Sequence, residues 1–113
     1  MLTIEKLKTF GVDVETGLKR CVNNESLFLR LTSMVPNNDS FNKLYEAIKN
    51  NDLDNAFLAA HALKGIIANL SITPLIDVVN NITELLRNKT QMDYSPLVEK
   101  IEKKRKELEL LCN

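Results

Sequence analysis

Between Asp52 and Leu70 the residues Leu53, Ala56, Ala60, Leu63, Ile67 and Leu70 recur at the three- and four-residue steps of one helical face. Such a stripe predicts a helix that must bury one side against other elements, with Asp52 as its N-cap. At 113 residues the chain is the size of one domain. Its hydrophobic content of 44% suffices for one core, and three Gly with three Pro leave few turns, which favours helices. The only histidine, His61, lies in the middle of this segment, roughly 140° from the centre of the apolar stripe at 100° per residue. Its imidazole is therefore expected in solvent. Leu58, Ala62, Gly65 and Ala68 share that outer face, where a soluble helix ordinarily carries Lys, Glu or Gln. Gly65 costs a helix roughly 1 kcal/mol relative to Ala, and it clears the space above the ring. A flat apron of small residues around one imidazole suits close approach by another protein.

The remaining segments show the same period. Thr3 caps a short helix with Leu7 and Phe10 inward and Gly11 at its end. Asp13 caps a second, with Val14, Leu18, Cys21 and Val22 at helical spacing, and Gly17 makes it depend on packing. A third runs from Asn24 to Val35 with Leu27, Phe28, Leu31, Met34 and Val35 on one face, stopped by Pro36. After Asn37-Asn38-Asp39 a fourth begins at Asp39 or Ser40 and turns Phe41, Leu44, Tyr45 and Ile48 inward. These two could stack end to end as one broken rod or fold back on each other, and their pattern is compatible with both. Beyond a turn at Ser71-Ile72, Thr73 and Pro74 form a cap-and-proline start for a helix with Leu75, Val78, Val79, Ile82, Leu85 and Leu86 inward, ending near Asn88. So short a turn makes it the antiparallel partner of the histidine helix. Ser95 and Pro96 repeat that start for a last helix to about Leu111, with Leu97, Ile101, Leu108 and Leu111 inward. The expected fold is all-α: an antiparallel four-helix bundle over 24–111, with short additional N-terminal helices over 1–23 acting as a lid.

Composition removes several function classes. Fifteen basic residues balance fifteen acidic ones, and a neutral chain lacks the basic surface that collects nucleic-acid phosphates. No apolar run approaches the ~20 residues of a membrane span, and no signal-peptide pattern opens the chain. Cys21 and Cys112 have no metal-ligand spacing and read as reduced cytoplasmic thiols. One histidine without a nearby Cys or carboxylate pair does not build a metal site. No Gly-rich phosphate loop is present, which agrees with a chain that has no ATP site of its own. Lys103-Lys104-Arg105-Lys106 is flanked by Glu102, Glu107 and Glu109 and reads as a solvated face with i,i+4 pairs. Phe41, Tyr45 and Phe57 read as core, and Asp54 as a distant neighbour of the imidazole.

The string His61-Ala62-Leu63-Lys64-Gly65, followed by Asn69 and Leu75, resembles the signature of histidine-containing phosphotransfer (HPt) domains. These are helical bundles that carry a phosphoryl group on histidine between the partners of a multistep phosphorelay, and their commonly long helix ahead of the histidine helix implies the broken rod for 24–35 and 39–50. Gly11-Val12-Asp13 through Gly17-Leu18 and Arg20 also resembles a lead-in found on some bacterial HPt domains. The resemblance implies that His61 is the phosphoryl acceptor and that Lys64, one turn on, stabilises the phosphate. A neutral imidazole, with an ordinary pKa of ~6.5, is a competent nucleophile near neutral pH. Lys64 has a plainer role available as a stem covering apolar surface. The implied protein is a cytoplasmic monomer that carries phosphate without being an enzyme and has no cofactor of its own. Its partners would be response-regulator receiver domains, which supply the acceptor aspartate and Mg²⁺, and a hybrid sensor kinase. Leu58, Ala62, Gly65 and Ala68 would form the docking surface. The chain departs from the family at Ile66, Ile67 and Ala68, where small residues are common; both isoleucines are expected on the buried side. It departs again at Ser71, where glycine is frequent and the turn is expected to change. Met1 and a full set of caps favour a free-standing protein over a segment of a larger kinase. A second reading is a helical interaction module on the same scaffold without phosphoryl traffic, against which the pairing of His61 with Lys64 argues.

Overall fold

Side-chain caps start five of the helices in a computed structural model that describes residues 1–113. Thr3 Oγ1 accepts from Lys6 N, Asp13 Oδ1 from Thr16 N, Asn24 Oδ1 from Leu27 N, Asn38 Oδ1 from Ser40 N and Asp52 Oδ1 from Asn55 N. Each satisfies an N–H that a first turn leaves without a partner. The resulting elements are α1 (Ile4–Phe10), α2 (Val14–Arg20), α3 (Glu25–Met34), α4 (Asp39–Lys49), α5 (Leu53–Asn69), α6 (Thr73–Arg87) and α7 (Ser95–Cys112), with a 3₁₀ turn at Val35–Asn37. No helix is long and apolar enough to cross a membrane. Two expected caps act otherwise. Thr73 makes no cap bond to its own helix; its Oγ1 donates to Ser71 O and accepts from Asp13 N, tying the α5–α6 turn to the start of α2. Ser95 is likewise no side-chain cap, and Asp93 Oδ1 instead accepts from Ser95 N at 3.0 Å.

Helix ends are closed by one repeated device. After α5, Ile72 N donates to Ile67 O and Ser71 N to Ala68 O, with Ser71 in the left-handed region at φ +54°. This is the paired closure that usually takes glycine at its left-handed position. Gly11 fills it after α1, but Asn51 fills it after α4 and Lys89 after α6. Ser71 therefore adopts the glycine conformation, and the turn forms with serine in place. Val22 fills the same position after α2 (φ +51°) and is 84% exposed. The expectation of an inward Val22 fails because α2 ends at Arg20 and the left-handed residue turns the side chain out.

The architecture is a helical bundle centred on α5, which packs along α4 on one side and α6 on the other, while α7 packs on α6. The α5 stripe is buried as predicted from Ala56 to Leu70, and Leu53 is half-buried. Leu75, Val79, Ile82 and Leu86 of α6 and Leu97, Ile101 and Leu108 of α7 meet it in the core. α3 and α4 are joined through the 3₁₀ turn and do not pack on one another, so they do not fold back as a hairpin. On α3 the expected stripe holds for Phe28, Val35 and half-buried Leu27 but not for Leu31 and Met34. Phe28 and Thr32 are buried, whereas Leu31 and Met34 are 37% and 60% exposed, because only a narrow line of this helix faces the bundle. Arg105 also departs from expectation. Its Nε donates to Pro36 O at 2.7 Å, its guanidinium lies 5.0 Å from the Phe41 ring centroid, and Glu102 holds it from the preceding turn. It clamps α7 to the α3–α4 junction rather than lying in solvent, and the acidic pairs on this face run i,i+3.

The N-terminal helices lie at the bundle end where α5 and α7 finish and α6 begins. α1 packs on α7, with Lys104 Nζ over the Phe10 ring, and Asp13 N reaches Ser71 O. Gly17 is buried where α2 crosses α3. A Cβ there would stand 2.5 Å from Phe28 Cε1 and 2.9 Å from Leu70 O. Phe28 is fully buried, so its ring has little room to yield. Gly17→Ala is expected to lower stability by ~1–3 kcal/mol through overpacking, despite the better helix propensity of alanine. Urea denaturation checks this; a variant as stable as the parent would show that α2 is free to shift.

Candidate functional site

His61 stands midway along α5 and is exposed, as the helical phase requires. Ala59, Ala60 and Leu63 beside it are buried, so the backbone under the ring is fixed by packing while the ring itself is in solvent. Four residues on, a Cβ placed on Gly65 would meet nothing within 4 Å. Gly65 is thus not required by any helix contact, and it leaves open space one turn from the imidazole. Leu58 (63% exposed) and Ala62 are also open, whereas Ala68 is half-buried.

Two flanks differ in chemistry. On the α4 side, Leu58 and Ala62 line a shallow groove of about 530 Å³ with Ser40, Lys43 and Glu46. Further along α5, Ile66 and Asn69 line a second groove with Leu31 and Met34. Ile67 is buried as expected, but Ile66 is only half-buried and belongs to this surface. On the α6 side stand the aromatic and charged groups. Phe57, one turn before His61, stacks with the imidazole at a centroid distance of 5.7 Å and an interplanar angle of 26°. Arg87 of α6 places its guanidinium 4.9 Å from the Phe57 centroid, a cation–π distance. Lys64 Nζ lies 3.8 Å from Glu84 Oε1, and Glu84 Oε2 lies 3.3 Å from Arg87 Nε. Asp54 is engaged elsewhere, with Lys89 at 3.4 Å.

The fold thus gathers His61, Lys64, Leu58, Ala62 and Gly65 on one exposed tract of α5. Sequence reasoning missed three neighbours. Phe57 was expected in the core; half-buried, it instead supports the imidazole. Its i,i+4 spacing to His61 was the available signal. Glu84 and Arg87 carried no signal, because the register of α6 against α5 is set by core packing. Chemically the tract offers one accessible nucleophilic ring, one mobile ammonium and no enclosed pocket around them. No group of three His, Cys, Asp or Glu side chains is placed to hold a metal ion.

The family model of the Hpt domain matches residues 37–112, which contain α4 to α7 with Phe57, His61, Lys64, Glu84 and Arg87. Comparison with curated proteins and with solved structures gives no match. The chain belongs to the Hpt domain family, whose members are phosphocarriers of two-component signalling that interact with receiver domains and kinases.

The stacking is directly observable, since the chain has one imidazole. Phe57→Leu keeps a half-buried apolar side chain at a cost below ~1.5 kcal/mol but removes the aromatic ring. The His61 carbon-bound proton signals are expected to shift in the NMR spectrum as the ring-current contribution is lost. Unmoved signals would show that the two rings do not stack in solution.

Proposed function

We propose that this Hpt domain carries a phosphoryl group on His61 in a multistep phosphorelay, taking it from, and passing it to, the aspartates of response-regulator receiver domains. The observation that supports this most is an exposed imidazole on a packed helix, inside the family match, with open space over Gly65. In the accepting step a ring-nitrogen lone pair attacks phosphorus, an N–P bond forms, and the P–O bond to the donor aspartate breaks. The carboxylate leaves with that electron pair, and the proton on the other ring nitrogen stays. Delivery is the reverse step on a second receiver. Such transfer depends on in-line placement and on neutralising the equatorial oxygens.

Lys64 supplies one positive charge to those oxygens, as a flexible point charge one turn from the ring. The acceptor carboxylate and Mg²⁺ belong to the partner receiver, whose metal would offset further phosphoryl charge. Leu58, Ala62, Gly65 and Ala68 form the docking surface, with the α4–α5 groove beside it. A hybrid sensor kinase that ends in a receiver domain would engage the same face. The rigid support of His61 by buried Ala60 and Leu63 fits this role, because a docked aspartate must meet the ring without a search.

Two substitutions test the reading. His61→Gln replaces an exposed side chain and should change stability by no more than ~0.5 kcal/mol. Label transferred from a phosphorylated receiver should be abolished; surviving label would place the carrier site elsewhere. Gly65→Leu separates folding from docking. Helix propensity should raise stability by several tenths of a kcal/mol, since nothing lies within 4 Å of the new Cβ. A branched side chain there would hold a partner away from His61, so phosphotransfer should fall strongly. Melting temperature and single-turnover transfer measured on one sample check both halves. Normal transfer would move the interface to another face.

A further inference from the structure

Glu84 holds two cations at once beside the tract that carries His61. Lys64 reaches it across the α5–α6 interface at 3.8 Å, and Arg87 reaches it along α6 at 3.3 Å. Lys64 has no other acidic partner within 4.0 Å, so its ammonium is directed toward α6 in the uncharged protein. We propose that Glu84 is a positioning residue, a resident anion that holds Lys64 until a phosphoryl group on His61 competes for it, and so sets how readily His61 is charged. This rests on the phosphocarrier reading above.

The geometry supports an exchange rather than a lock. Both partners are substantially in solvent, Lys64 at 36% and Glu84 at 54% side-chain exposure, and exposed pairs of this kind are weak and easily broken. A dianionic phosphoryl group is a stronger attractor for an ammonium than a carboxylate is. When Lys64 departs, Glu84 does not become a bare anion, because Arg87 Nε remains on it. Arg87 is itself steadied on the Phe57 ring, which keeps the α6 half of the arrangement in place while the α5 half moves. A neutral side chain at position 84 would release Lys64 and also remove a negative charge from the neighbourhood of the incoming phosphoryl group. Both effects act in one direction.

The test uses potassium phosphoramidate as donor, so that no partner protein enters the rate. The donor N–P bond breaks with release of ammonia, its proton coming from water, and an N–P bond forms on the imidazole. Because the chain has one histidine, ³¹P NMR of phosphohistidine reports His61 alone. Glu84→Gln is isosteric, and its melting temperature is recorded alongside. The expected result is charging about two- to five-fold faster than wild type, the range an exposed ion pair supports, with a clearly smaller gain when Lys64→Ala is already present, because only the removed negative charge then acts. Equal rates in wild type and Glu84→Gln would overturn the proposal, as would the same gain in the Lys64→Ala background, which would mark a Lys64-independent or purely structural effect. Wild-type protein that forms no phosphohistidine at all would overturn the carrier reading and this inference together. Wild-type charging that Glu84→Gln leaves unaltered removes this inference alone.

Discussion

Burial of one face of α5 between α4 and α6 is the constraint on which the rest of the structure depends. Ala56, Ala60, Leu63 and Ile67 are sealed to within 1% of full burial, and the two alanines let the neighbouring helices come close. Fully burying side chains such as Leu63 and Ile67 is worth ~1.5–3 kcal/mol each, so rotating α5 to bring another face inward would forfeit several such contributions. His61 therefore stays outside because its neighbours are held inside. The exposure of the ring is a consequence of packing, and the ring needs no dedicated pocket.

The flanking elements make that placement rigid. α2 sits on the C-terminal end of α5 through Gly17, which lets the Phe28 ring approach its backbone, and through the Asp13 contacts with Ser71 and Thr73. At the other side of the bundle Arg105 joins α7 to the Val35–Asn37 turn and to Phe41 of α4. These contacts leave α5 framed along its length, while the Lys64–Glu84–Arg87 ion pairs on its α6 flank are exposed and weak. A stiff helix with a loosely held counter-charge suits the role proposed for this ring, taking up and releasing a group that carries two negative charges.

Much of this was legible in the sequence because the strongest signals coincide. On α5 the caps, the 3.6-residue period and the outer-face position of His61 agree with one another, and the expected burial from Ala56 to Leu70 is found. α3 was less legible: its leucines and methionine suggested a wide stripe, yet Thr32 is inside and Leu31 and Met34 are outside. A polar residue can be buried on a helix that touches the bundle along only a narrow line, and periodicity does not reveal how wide that line is. The same limit hid Thr83, which is fully buried with its hydroxyl donating to Val79 O at 2.6 Å. Thr73 and Ser95 look like caps from their place before proline, but tertiary contacts recruited the first and Asp93 displaced the second. At the site, His61, Lys64 and Gly65 sit on one helix and could be related by arithmetic. Phe57, Glu84 and Arg87 required the α5–α6 register, which depends on how whole side chains interlock.

The ring held out by α5 packing is proposed to carry phosphate. The most direct measurement is to mix the wild-type protein with phosphorylated receiver domains from its own genome and to characterise the bond formed. Up to one phosphoryl group per chain is expected, on the peptide containing His61, labile in acid and stable in base as a phosphoramidate is, and recoverable on an unphosphorylated receiver. Label that is stable to acid, that maps to a peptide lacking His61, or that is absent with every receiver would contradict it.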